Sequence, residues 1–303
     1  MPVTRRSFLK TGAMLAAGLP VISSGAAPRR KIIGCYTGAK EILENPRYID
    51  ALQEKLGVNT LICGEAVCMP DWLREMNPLR GAYTMFARHA DDDSPLRNAI
   101  GETHRRGMSF WLYFSGHHND PGERDVMSET FEGVKFADLP PIPYALSQGE
   151  LTTCFEKPKV REYVRNLFAF APREYPVDGM YVSHTRYATP SFWSNLFGCA
   201  CSSCRAAASD MGYDFRLMEA SMRKLRRGLE NLDSKTVGRA ARARLSFGEF
   251  LSLLGEDNGV TDWLFFRARL VGNALRRMRE AVRVATDNRA TFVTDTHNPA
   301  MSL

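Results

Sequence analysis

Apolar runs of strand length alternate with helix-length stretches along most of this 303-residue chain, and that alternation constrains the fold more than any other feature. Lys31–Tyr36 reads as a strand, Asn45–Leu56 as a helix and Val58–Gly64 as a second strand. A helix over Pro95–Arg106, stopped by Gly107, leads into a third strand at Met108–Phe114. Lys159–Ala171 repeats the helix signal and Val177–Tyr187 the strand signal. A long helical section from Cys204 to about Ala285 precedes a fifth strand at Ala290–Asp295. Its last helix spaces Leu264, Ala268, Val271, Leu275, Met278 and Val282 as one buried stripe. Strands separated by helices pair in parallel, because parallel neighbours need a crossover of that length. A (β/α)8 barrel and an open doubly wound sheet both meet this requirement. The turn after Tyr36 lacks a Gly-x-Gly-x-x-Gly loop and the chain holds no Walker sequence, which removes most dinucleotide and nucleotide folds. No repeat of solenoid period and no low-complexity linker marks a second domain.

Composition narrows the class further. With 44% hydrophobic and 24% charged residues the chain is neither disordered, collagen-like nor a polytopic membrane protein. The near-continuous apolar stretch from Gly12 to Ile22 falls well short of the roughly 20 residues that span a bilayer. Thr4-Arg5-Arg6-Ser7-Phe8-Leu9-Lys10 resembles a bacterial twin-arginine export signal, and the small residues Ser24-Gly25-Ala26-Ala27 offer a signal-peptidase site. The expectation is a signal over residues 1–27 and a mature domain over 28–303, exported as a folded protein to the periplasm or beyond by the twin-arginine machinery, with no membrane span after processing. Without Arg5, Arg6 and Lys10 the net charge of +6 falls to +3, so no strong polyanion field remains. The surplus cations between Arg205 and Arg289, as in Arg223–Arg227, read as a solvated helix face and not as a nucleic-acid module.

The fourth strand carries a family likeness. Asp178-Gly179 opens it and Arg186-Tyr187 closes it, and Cys154-x-x-x-Pro158-x-Val160-Arg161-x-Tyr163 lies ahead of it. Together these resemble a large set of glycoside hydrolase-like barrel proteins, strongly over about 150 to 220 and weakly over 31 to 299. The resemblance implies a TIM-type (β/α)8 barrel, incomplete at about five strands, with a helical insertion between strands 4 and 5. It also implies a carbohydrate substrate or ligand. One departure stands out: the strand ends in Ser183 where these proteins carry an Asp, and a hydroxyl cannot perform the acid and base work of glycoside hydrolysis. His184 cannot activate Ser183, since neighbours in a strand point to opposite faces.

Other polar residues stand at strand ends, where a barrel places its active face. Glu65 follows strand two and Asp295 ends strand five, making them the candidate catalytic carboxylates. Such a pair must lie roughly 5 to 9.5 Å apart to cleave a glycosidic bond. His117, His118, Arg186, Tyr187 and His297 are candidate sugar contacts, Arg186 because the matching family Arg lies in the substrate cleft. Asp178, at the opposite end of its strand, reads as structural. Trp72, Phe192 and Trp193 read as loop aromatics.

Cys199-x-Cys201-x-x-Cys204 places three thiols within six residues, a spacing that wraps a tetrahedral metal. Zinc-containing β-galactosidases of the barrel class carry a similar cluster completed by a Cys ahead of strand four, and Cys154 stands there in this chain. The resemblance therefore implies a closed structural Zn²⁺ site of Cys154, Cys199, Cys201 and Cys204; the alternative is a disulfide such as Cys199 with Cys204. Cys35, Cys63 and Cys68 read as small buried apolar residues.

The leading expectation is an exported glycoside hydrolase-like protein that acts on or binds carbohydrate, its catalytic competence weakened by Ser183 and by the lack of later strands. The rivals are a non-catalytic carbohydrate-binding or assembly protein and a periplasmic thiol- or metal-handling protein. Strand five ends as an edge, so either the chain is a truncated product or a partner, such as a second copy, covers it.

Overall fold

The computed structural model describes residues 31–79, 88–115, 123–135, 138, 153–183, 198–230 and 257–294. Among the described residues five strands form a single parallel sheet: β1 (Gly34–Thr37), β2 (Thr60–Cys63), β3 (Ser109–Ser115), β4 (Gly179–Ser183) and β5 (Thr291–Thr294). Their spatial order is their sequence order, β1-β2-β3-β4-β5. Every crossover thus steps the same way around the sheet, whereas a doubly wound sheet reverses at a switch point. The register advances as well. Gly34, Thr60 and Ser109 are level across the first three strands, but Gly179 and Thr291 are level with Trp111, two residues further along β3. Stagger of this kind accompanies barrel closure. The fold is therefore α/β, a five-stranded arc of a (β/α)8 barrel, with a helical insertion between β4 and β5.

The helices described between them are α1 (Ala39–Glu44), α2 (Pro46–Leu56), α3 (Asp71–Glu75), α4 (Ser94–Arg105), α5 (Pro158–Glu174), α6 (Ser202–Asp210), α7 (Phe215–Glu230) and α8 (Asn258–Ala285). The helix expected over Asn45–Leu56 is α2, and the additional short helix α1 precedes it; Asn45 separates the two and caps α2, its side chain accepting the Tyr48 N–H. Trp72 belongs to α3 rather than to a loop. Gly107, in the left-handed region at φ +68°, stops the chain just past α4, where an L side chain would be strained.

Alternate residues of the strands face the helices. Leu61, Cys63, Phe110, Leu112, Phe114, Met180 and Val182 pack there with Ile49, Ile100, Leu167 and Met278 into the main core. Asp178, as expected, is structural: its carboxylate accepts the Phe110 N–H and faces His104 Nε2, both at 2.8 Å, while its carbonyl accepts the Thr291 N–H, so one residue ties β3, β4 and β5 together.

A second core gathers Phe131, Phe215, Met218, Met222, Trp263, Phe266 and Leu270. Helix α8, 28 residues and about 42 Å long, serves both: its N-terminal half buries Trp263, Phe266 and Leu270 in the second core and its C-terminal half buries Met278 and Val282 in the first. The buried stripe thus differs from the one read in the sequence. Ala268 is exposed, and Leu264, Val271 and Leu275 are half-buried at the margin. The long helical section from Cys204 is likewise broken, with a turn between α6 and α7 centred on Gly212. The basic face around Arg223 is not merely solvated: Arg223 and Arg226 pair with Glu132, Arg205 and Arg223 with Glu219, and Arg205 lies over the Phe215 ring. No described helix is long and apolar enough to cross a membrane.

Candidate functional site

The four cysteines converge from two places in the chain. Backbone pairing brings them there: Cys154 N–H donates to Val126 O at 2.9 Å, Thr130 bridges Gly198, and Ala200 N–H donates to Glu129 O at 2.8 Å. Residues 123–135 are thereby the platform on which both cysteine segments rest. Cys201 then occupies the N-cap position of α6, and Cys204 falls in its first turn. All four sulfurs lie within 4.8 Å of one another, with Cys154 Sγ 3.5 Å from Cys204 Sγ and 3.8 Å from Cys201 Sγ.

That geometry fits a metal ion. Four sulfurs held at about 2.3 Å around a tetrahedral cation are about 3.8 Å apart, whereas a disulfide requires about 2.05 Å. The thiols are at most 1% exposed, so four thiolates without a cation would be heavily penalised. Hydrogen bonding from Cys154, Cys199 and Cys204 pulls the Cys201 thiol down, while hydrogen bonds from Cys199 and Cys201, with burial, push Cys154 and Cys204 up. Polar neighbours complete the surroundings: Glu129 N–H points at Cys199 Sγ at 3.4 Å, and Lys157, hydrogen-bonded to Glu129 at 3.0 Å, is drawn upward by that carboxylate and by the charge of Cys201 against the opposing effect of burial. The described residues hold no other cluster of three or more metal-ligating side chains this close together.

Of the residues expected at the strand ends, Glu65 is described. It lies two residues past β2, and its Oε1 accepts the Ala39 N–H at 3.1 Å. It therefore caps α1, whose own N-cap position is Gly38 and supplies no side chain. His117, His118, Arg186, Tyr187, Asp295 and His297 lie outside the described residues, as do Phe192 and Trp193. Ser183 is buried with its hydroxyl 2.7 Å from Tyr113 Oη. Among the other thiols Cys63 is buried, which pushes it up to about 12, while Cys35 and Cys68 are only half-buried.

The face of the sheet opposite the main core holds a group that the sequence reading missed. Tyr36 of β1, Tyr113 of β3 and Tyr181 of β4 meet there with ring centroids 5.6, 5.6 and 6.0 Å apart, and Tyr36 is 56% exposed. Smaller Ile62 stands level with Tyr36 on β2, and Trp111 packs so closely over Gly179 that a Cβ there would meet its ring at 2.7 Å. The signal was available as period-two alternation: Tyr36, Tyr113 and Tyr181 each fall on the phase opposite to the core residues of their strands.

No protein-family model and no curated protein matches the chain. Solved structures do resemble it. The glycoside hydrolase domain of PgaB (BpsB) from Bordetella bronchiseptica aligns over 90% of this chain and 69% of its own at 8% identity and a TM-score of 0.47. A GH20 exo-β-N-acetylglucosaminidase from Vibrio harveyi aligns over 88% of this chain and 36% of its own, at 11% identity and a TM-score of 0.45. A maltogenic α-amylase from Thermotoga neapolitana aligns over 50% and 39%, at 12% identity and a TM-score of 0.34. The chain thus spans between about a third and about two thirds of the length of these structures.

Proposed function

We propose that this chain is a glycoside hydrolase-like protein that binds carbohydrate on the face of its parallel sheet opposite the main core. The tyrosine cluster carries the reading. Three rings from three strands offer apolar faces for the C–H face of a pyranose and hydroxyls as donors and acceptors beside it, with Tyr113 Oη held by the buried Ser183 hydroxyl. The likeness of strand four to barrel glycosidases supports the same ligand class. Binding is favoured over hydrolysis because Ser183 replaces the usual carboxylate and Glu65 is engaged in capping α1. Hydrolysis would rest on Glu65 with Asp295, and sugar contacts on His117, His118, Arg186, Tyr187 and His297. The cysteine set would hold Zn²⁺, the thiolate-binding ion that favours closed tetrahedral sites, as a structural staple with no open position for substrate. Export after folding, through the signal over residues 1–27, would let the metal load first. Burial of all four thiols weighs against thiol exchange, since reactive cysteines are accessible.

The test is a panel of neutral oligosaccharides titrated against the mature chain, read by melting shift and by calorimetry. Tyr36→Ala, at an exposed position, is expected to keep the fold and weaken sugar binding at least tenfold. Turnover of aryl glycosides lost in Glu65→Gln would instead identify an active hydrolase. Absence of any sugar response, or unchanged binding in the tyrosine variant, overturns the reading.

A further inference from the structure

Helices α5 and α8 run side by side over the main core and leave a cleft of about 750 Å³ between them on the outer surface. Arg161, Arg165 and Arg173 of α5 and Arg277 of α8 line it. Its lining also includes Ala169, Ala281 and the 61% exposed Val284. On α5 the positions 161, 165, 169 and 173 follow one another at intervals of four residues, so the arginines form one row, rising about 6 Å per step.

The row is anchored at one end. The Glu156 carboxylate, 3% exposed, accepts from Arg277 Nη2 at 2.7 Å and pairs with Arg161 at 3.7 Å, and Arg277 also reaches the Phe155 carbonyl at 3.4 Å. Further along, Arg165 and Arg173 make no ion pair among the described residues. The carboxylates in the lining are Glu162 and Glu280, and Glu280 is engaged by Arg283.

We infer that this cleft docks an acidic amphipathic helix of a partner protein. A helix with Glu or Asp every fourth residue repeats at the same 6 Å interval and sets its carboxylates against Arg165 and Arg173, where guanidinium forks bind them bidentately. Its apolar side then settles on Ala169, Ala281 and Val284, two of them small enough to allow close approach of the backbones. That apolar floor favours a peptide over an anionic glycan, which has charge but no matching apolar face.

The test uses the full mature chain and a fluorescent sixteen-residue helical peptide with Glu at every fourth position and Leu on the adjoining face, read by anisotropy. Binding is expected at low salt, weakened at least tenfold in Arg165→Glu/Arg173→Glu and in Val284→Glu, and unchanged in Arg216→Glu, an exposed control on α7. A melting temperature within the wild-type range keeps each variant interpretable, since all four positions are exposed. No binding overturns the inference. So does equal loss in Arg216→Glu, which marks unspecific attraction, or tighter binding of a sulfated oligosaccharide of equal charge, which marks a glycan site.

Discussion

Stripping the metal from the four-cysteine site is expected to lower the melting temperature by roughly 5–11 °C, a range from stability-linkage arithmetic. The sulfurs nearest Cys154 already stand 3.5 and 3.8 Å away, close to the roughly 3.8 Å edge of a tetrahedral thiolate site, so loading needs little rearrangement. Binding free energy then appears almost entirely as stability of the folded state. At free metal a hundredfold above Kd this amounts to about 2.7 kcal/mol. In a chain of this size each kcal/mol moves the melting point by about 2–4 °C. The assay compares metal-loaded, chelated and Cys201→Ser proteins by scanning fluorimetry, with metal per chain counted by mass spectrometry and thiols by titration. One zinc per chain is expected, absent from the variant. Hydrogen bonding and burial push Cys154 and Cys204 up, and a metal binds them as thiolates, so loading releases protons and tightens as pH rises. A chelated protein that has lost its metal yet melts unchanged refutes the argument, as do cysteines that prove to be paired by oxidation.

Two further outcomes follow from the packing and the charges. Trp263→Ala removes a fully buried ring that stands 4.9 Å from Phe131 and about 6 Å from Phe215 and Phe266; a loss of about 3–5 kcal/mol is expected by denaturant titration, and one below about 1 kcal/mol would contradict the second core. The Glu102 carboxyl is held down to about 2 by Arg105 and then Arg106, below its unfolded value of about 4.3, so its contribution is present above that value and lost as pH falls toward 2. Glu102→Gln should flatten this part of the acid-unfolding curve, and an unaltered curve would show that the pairing is solvent-screened.

The strands and helices of the arc were legible in the sequence because they depend on local periodicity. Five apolar runs separated by helix-length stretches require a parallel sheet whatever the surroundings, and Gly107 ends α4 for a reason internal to its own turn. The three clustered cysteines belong to the same category. Cys154 does not: its sulfur meets them from 47 residues away, and only a family likeness pointed to it.

What the tertiary structure alone decided is which faces meet. The stripe on α8 turned away from its sequence reading because that helix packs two cores with different neighbours, and no single periodic pattern describes both. Glu65 became the cap of a helix 26 residues before it because parallel pairing sets the end of β2 beside the start of α1. The three tyrosines and the arginine row gained neighbours in the same way, through register and helix packing. Sequence fixes the period of each element, whereas its rotation and its partners follow from contacts between residues far apart in the chain.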